Sequence, residues 1–555
     1  MPLVTEEIQR VRSPGSGLAM RALLIFLLFV RFGPAQAVIC AGNLTPNLQG
    51  VRFVSPEGTD NNSCGQDRNS PCKTIQQGID NCKGKNCDAV LVRYGVYSLS
   101  VPLDLADGVS VYGGCAFDGV DHHYRSVARG NPAIRAENIK TPTTLQGFVV
   151  KGTSPLQPGA SSIGMIVSNS TNLYLGYDVF ESGRGADGAP GKYVAGEGQG
   201  GRGEAPKAEA NNGGSGGMAC PANQPGGANS TGQGGHGADI QLLYSHCVGY
   251  SCSCKNTNYP NSVGQRGYPS GNVLGGSGGR RGAAGCECDT ADRNQNAGNG
   301  FQGHPGNPGN SGVAGGKRDS NTGGSFQNTT WFPAGPGGNG DAGQVGSGGG
   351  GGGSGGYGVY VGWDLKSQDL EGRPGGGGGG GGCGGPEGAG GQPGGASIPL
   401  VIFNSQVYER VPESQNNLII PGPGGQGGAG ADGGNGGPGG PGGGGQTVQQ
   451  VEACGTGLSP GFGGPGGPGG PGGGGSGGAG GNGGPSVGLA EVSMFLPAFN
   501  PIFYPAEPGK GGRGGVGGVN GNSTGRGAHG DDGLPGLSAT YQYFKSTAAG
   551  NAGSR

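Results

Sequence analysis

The sequence predicts an all-β protein in which short stacked strands alternate with long glycine-rich loops. Three observations carry this. Residues 89–117, AVLVRYGVYSLSVPLDLADGVSVYGGCAF, form a row of short strands: Val90 and Val92 alternate, then Tyr97 and Leu99, then Val109 and Val111, with Gly and Asp turns between. Strands so short and evenly spaced cannot each bury an apolar face, whereas coils stacked on one another bury a continuous core. Gly contributes 142 and Pro 40 of the 555 residues, far above ordinary usage. Finally, apolar strand pairs recur ahead of glycine runs: SSIGMIVSNSTNLYLGYDVF from residue 161, ASIPLVIFNSQVYERV from 396 and PSVGLAEVSMFLPAFNPIFY from 485. ADIQLLYSHCVGY from 238 and YGVYVGWDLKSQDLEG from 357 read as weaker copies, and SATYQYFKS from 538 as a final strand.

The elements follow in order. Residues 1–37 end in MRALLIFLLFVRFGPAQA, with Arg21 as a positive start, Leu23–Val30 as a short apolar run and Ala35-Gln36-Ala37 as a small-residue cleavage site. This is a secretory signal pattern, too short to span a bilayer. Glu6 and Glu7 do not suit its start, so Met20 is an alternative initiator. No later segment is long and apolar enough to be a transmembrane helix. Residues 38–183 are expected to form an N-terminal cap and the first coils, with a short helix carrying Ile75 and Ile79 four apart. Residues 184–535 are expected to interleave glycine-rich segments with strand pairs near 238–250, 357–370, 396–420 and 485–504. Residues 536–555 close the chain as a strand and tail.

FVSPEG, PCKTIQQGID, VLVRYGVY and DGVSVYGGCAF occur in that order from residue 53. Together they resemble the opening of right-handed parallel β-helix proteins of the pectin-lyase-like superfamily, over residues 51 to about 183. The resemblance implies a right-handed parallel β-helix that begins with a strand and a capping helix. It implies little about activity, because folds of this kind host many chemistries.

The glycine runs admit three readings. GGPGGPGGPGGGG at 463–475 has neither an apolar side chain nor a charge. Gly has the most backbone freedom to lose, which favours disorder. Collagen needs Gly at every third position without interruption, and GGGGGGSGGYG at 348–358 breaks that register. The favoured reading is a bundle of polyglycine II helices, three residues per turn, held by backbone hydrogen bonds between neighbours. GADGAPG at 185–191 and GGNGGPGGPGGGG at 433–445 resemble the short repeats of antifreeze proteins of the snow-flea type and of phage tail-fibre tip adhesins.

All 14 cysteines follow the signal, and an even number in an oxidising compartment points to disulfides. The candidates are Cys40, Cys64, Cys72, Cys82, Cys87, Cys115, Cys220, Cys247, Cys252, Cys254, Cys286, Cys288, Cys383 and Cys454, with connectivity open. His246 beside Cys247, Cys252, Cys254, Cys286 and Cys288 raises a zinc reading, but C-x-C spacing suits zinc less well than C-x-x-C, so no metal is expected.

AFDGVDHHYRSVARG at 116–130 is the best local catalytic candidate, with Asp118, Asp121, His122, His123, Arg125 and Arg129. A polysaccharide lyase or hydrolase on this scaffold would carry carboxylates along successive strands of one face. The strand pairs offer only Asp178, Glu181, Glu409 and Glu413. GGNGD at 337–341 is half of a calcium-binding repeat, and Asp187, Asp432, Asp531 and Asp532 read as glycine-turn residues. Asn43, Asn61, Asn169, Asn229, Asn328 and Asn522 begin N-x-[ST] sequons. The formal net charge of −2 lacks the basic excess of nucleic-acid binders.

The expected function is that of a secreted, non-catalytic protein of the cell surface or extracellular matrix, adhesive or structural, with no cofactor. Its expected partners are glycans or other surface components, with Trp331, Trp363 and Tyr408 available to stack on sugar rings, and further copies of itself through coil ends or sheet edges. A polysaccharide lyase or hydrolase, a filament-forming protein and an ice-binding protein are the alternatives. The last lacks a flat row of Thr.

Overall fold

The computed structural model describes residues 50–116, 124–192, 213–218, 233–235, 237–238, 245–248, 251–254, 265–266, 274–280, 299–317, 324–356, 358–361, 367–370, 372–409, 416–447, 461–492 and 499–544. The expected signal segment lies outside them. Three six-stranded parallel sheets dominate. The first comprises β1 (Val51–Val54), β2 (Ala89–Arg93), β5 (Ser110–Cys115), β8 (Thr143–Gln146), β11 (Leu173–Gly176) and β20 (Val407–Glu409). The second comprises β4 (Leu103–Asp104), β7 (Ile134–Glu137), β10 (Ser162–Ser168), β19 (Ser397–Phe403), β22 (Ser486–Val492) and β24 (Ser538–Phe544). The third comprises β3 (Gly95–Ser98), β6 (Ser126–Gly130), β9 (Phe148–Gly152), β12 (Val179–Glu181), β21 (Leu418–Ile420) and β23 (Ile502–Phe503). From β2 to β21 the chain visits the sheets in one rotation, first, third, second. Each strand therefore pairs with the strand one round later, as in Leu173 with Thr143 on one side and Val407 on the other.

Alternate side chains of these strands point inward. Val90, Val111, Leu145, Leu173 and Val407 from the first sheet meet Phe148, Val150, Phe180 and Ile419 from the third and Met165, Leu400 and Leu489 from the second in one core. The expected helix is α1 (Ile75–Cys82). The Thr74 side chain caps it by accepting the Gln77 N–H at 3.3 Å. Its buried Ile75 and Ile79 join the core at the N-terminal end of the stack. Cys64–Cys72 and Cys82–Cys87 cross-link this end. No helix among the described residues is long and apolar enough to cross a membrane.

Between the second and first sheets the corner is set by asparagine. Asn138, Asn169 and Asn404 follow β7, β10 and β19 with φ of 58°, 49° and 44°. Asn tolerates this left-handed region better than most residues with a Cβ. Their N–H groups donate to Ser168, Phe403 and Val492 of the next round, and Asn404 Nδ2 donates to Asn169 Oδ1 at 3.0 Å.

The stretches near 238–250 and 357–370 do not join the parallel sheets. β13 (Ser245–Val248) and β14 (Ser251–Cys254) form an antiparallel pair, as do β17 (Gly358–Val361) and β18 (Ser367–Leu370). Connections of two and five residues are too short for a parallel crossover, which needs a dozen or more. A third hairpin, β15 (Gly324–Gln327) with β16 (Thr330–Pro333), lays Phe326 and Trp331 over the outer face of the second sheet. Phe544 closes that layer, with ring centroids 5.4 Å from both. Both faces of β10 and β22 are consequently buried along their whole length.

The described glycine runs form extended strings. Around residues 461–485 the hydrogen bonds repeat every third residue. Gly464, Gly467, Gly470 and Gly473 donate to Gly353, Gly350, Ser347 and Gln344. Gly466, Gly469, Gly472 and Gly475 donate to Gly443, Gly440, Gly437 and Gly434. The third set faces residues 528–534, as in Gly477 to Ala528 and Gly480 to Asp531. Strings 300–315, 376–394 and 509–521 donate into the carbonyls of 461–485, so six neighbours surround it. Pro465 and Pro468 are exposed and belong to that third set, where 528–534 no longer runs alongside. Proline lacks an N–H and is placed where none is needed.

These strings continue the sheets. String 183–191 follows β12 and bonds to 423–429, the continuation of β21, just as β12 pairs with β21. Strings 372–396 and 461–485 lead into β19 and β22, and Gly394 to Asn482 and Ser397 to Pro485 carry one parallel contact from string to strand. Every excursion leaves a third-sheet strand and returns to a second-sheet strand.

Candidate functional site

Of the catalytic candidates in 116–130, only Arg125 and Arg129 fall among the described residues. Asp118, Asp121, His122 and His123 lie outside the described residues. Arg129 is exposed on β6 and makes no shared cluster with Arg125. Arg125 is partly buried; its Nε donates to the Tyr177 carbonyl at 2.9 Å and its guanidinium lies 3.8 Å from the Tyr177 ring centroid. Burial lowers its pKa, against the opposing pull of Tyr177 and Asp178.

Asp178 is fully buried at the corner between the first and third sheets. One carboxylate oxygen accepts the Phe148 N–H at 2.8 Å and the other the Gly176 N–H at 3.2 Å. One round later the equivalent position is Asn417, whose Oδ1 accepts the Asp178 N–H at 2.9 Å. Burial pushes the Asp178 carboxyl well above its ordinary range, opposed by these N–H groups and by Arg125. The cluster holds the corner of the stack, with the Asp178 side chain out of contact with solvent. Asp178→Ala leaves two buried N–H groups without acceptors and is expected to cost about 3 kcal/mol in urea unfolding. A folded pKa above the unfolded value near 4 contributes stability at acid pH that is lost as pH rises through the folded value. Asp178→Asn should remove that slope from a pH series of urea midpoints.

The other strand carboxylates also hold structure together. Glu181 pairs with Lys151 at 2.8 Å, and Glu409 Oε1 accepts from Asn417 Nδ2 at 3.1 Å. Glu413 lies outside the described residues. At the C-terminal end of the stack, Glu491 accepts from the Tyr541 hydroxyl, and burial raises the pKa of both.

The cysteines give no described metal centre. Asp60 lies near Cys64 and Cys72, but those sulfurs are bonded to each other and cannot act as thiolates. Cys115 and Cys383 are also in disulfides, with partners outside the described residues. Cys40, Cys220, Cys286, Cys288 and Cys454 lie outside them too, as do the side chains of Cys247, Cys252, Cys254 and His246. Trp331 is buried in the hairpin layer and is not available to a sugar ring. Trp363 lies outside the described residues. Tyr408 stacks on Tyr174 at 5.2 Å, so their rings pair across consecutive rounds of the first sheet.

The feature that remains is the surface of the strings. In 423–441, Gln426, Ala429, Asp432, Asn435, Pro438 and Pro441 are exposed at every third residue, with glycines between that face neighbouring strings. The acidic residues read as turn formers stand in straight strings instead. Asp187, Asp432, Asp531 and Asp532 accept the backbone N–H groups of Gln426, Val516, Lys317 and Gly514. Asn435 does the same for Val519 at 2.8 Å. Asp341 of GGNGD lies in such a string, its N–H donating to the Val313 carbonyl at 2.9 Å. A shallow groove runs along this surface, lined by Asp432, Asn435, Val516, Val519 and Arg526. The three-residue spacing of non-glycine residues was the sequence signal for this face. Comparison with protein-family models, with curated proteins and with solved structures found no match.

Proposed function

We propose that the protein is a secreted, non-catalytic surface or matrix protein, adhesive or structural. Its scaffold is read as a right-handed parallel β-helix of the pectin-lyase-like type, with a polyglycine II bundle growing from its last rounds. The three sheets visited in rotation support the first part, and the three-residue hydrogen-bond register supports the second. The observation that carries the functional reading is the string surface: one side chain in three exposed, on a backbone already paired on its inner sides.

Such a surface loses little conformational entropy on contact, because its backbone is ordered before anything binds. At about 3.1 Å rise per residue, successive side chains of one face repeat every ~9 Å. Glycans and other extended polymers present groups at repeating intervals, so many weak contacts add into avidity. The folded chain incubated with a panel of polysaccharides should retain one or more without shortening them. Chain cleavage would replace this reading with a lyase or hydrolase. Neither retention nor cleavage would leave the structural role.

A further inference from the structure

Four sequons fall on described residues, and their asparagines stand in different surroundings. Asn61 and Asn522 are exposed in tight turns. In the first, the Ser63 N–H and hydroxyl both donate to Asn61 Oδ1 at 2.9 Å. In the second, the Thr524 N–H and hydroxyl donate to Asn522 Oδ1 at 3.1 and 2.6 Å. Asn328 is exposed at the tip of the β15–β16 hairpin, with φ of 53°. Asn169 differs: its Oδ1 accepts from Asn404 within the asparagine corner, its carbonyl accepts from Lys140 Nζ, and it is half-buried.

We propose that Asn61, Asn328 and Asn522 are N-glycosylation sites and that Asn169 is not. At Asn61 and Asn522 the bonds donated to Oδ1 make the Nδ2–H more acidic, and all three asparagines are exposed to an approaching donor. Nδ2 then attacks the anomeric carbon of a lipid-pyrophosphate-linked oligosaccharide. The new C–N bond forms as the C–O bond to the lipid pyrophosphate breaks; the pyrophosphate leaves with the electron pair, and the amide nitrogen gives one proton to a general base of the host cell's glycosyltransferase. All three sites lie at turns, where a bulky polar addition meets solvent and displaces no string. At Asn169 a sugar would compete with the stacked corner.

The inference rests on the reading of the protein as secreted, and the test separates the two. The full chain is produced in eukaryotic secretory cells, beside a chain that starts at Val38 behind a leader of proven export activity. Export of the full chain tests secretion alone. The second chain tests the sites: peptide-N-glycosidase treatment should lower its mass and convert Asn61, Asn328 and Asn522 to aspartate, leaving Asn169 intact. Ser63→Ala, Thr330→Ala and Thr524→Ala should each remove one glycan while keeping the asparagine. Unchanged mass after the glycosidase overturns the proposal, as does a glycan on Asn169 in folded, exported protein.

Discussion

Gly470→Ala is expected to destabilise the string bundle by about 2–3 kcal/mol, while Pro468→Ala two residues away costs at most about 1 kcal/mol. Gly470 is buried; its N–H donates to the Ser347 carbonyl at 2.8 Å, and its carbonyl accepts the Gly382 N–H at 2.9 Å. A methyl group there would overlap the carbonyl oxygen of Asn307 in a third string. The obstruction is backbone, so no rotamer change relieves it. Either the overlap is tolerated as strain, of the order of 1–3 kcal/mol, or the string shifts and gives up hydrogen bonds worth about 1 kcal/mol each. Pro468 is exposed, and its carbonyl bond from the Gly306 N–H survives any side chain. Denaturant unfolding of both variants, read through amide exchange of 463–475, checks the contrast. Equal protection in the two would mean that the string is not packed as described.

Phe180→Ala is expected to cost about 3–5 kcal/mol and to loosen the strings together with the sheets. Phe180 is fully buried in β12 and lies in register with Val150 on one side and Ile419 on the other. Its removal opens a cavity in the core of the stack. String 183–191 begins three residues after Phe180 and bonds to 423–429 in the same order in which β12 pairs with β21. Strand spacing and string spacing are therefore coupled. The exchange protection of Gly188 and Gly191, whose N–H groups donate to Gln426 and Ala429, should fall in parallel with that of Val150 and Ile419. Strings that keep full protection while the stack weakens would make the two parts independent units.

Much of the architecture was legible because it rests on local patterns. Alternation in 89–111 marked strands, Ile75 and Ile79 marked the helix, and 161–183, 396–420 and 485–504 marked rounds that return to the same sheets. The hairpins were misread because 238–250 and 357–370 have the same apolar composition as a parallel pair. Only the length of the connection distinguishes them. Trp331 looked available because the local sequence SFQNTTWFP gives no sign of Phe544, over two hundred residues away, that packs against it. The acidic residues among glycines matched turn chemistry locally, and only a neighbouring string revealed the N–H that each accepts.

The sequence by itself determined the periods: two in the strands, three in the glycine runs, and glycine wherever a neighbour must come close. A local pattern sets which side of a chain segment is bare backbone, since that depends only on side chains and their spacing. Tertiary structure alone decided which strings meet, in which direction, and that 461–485 sits among six others. The glycines that face neighbouring strings carry no side chains to tell one partner from another. Their pairing is imposed by the sheets from which they leave and to which they return.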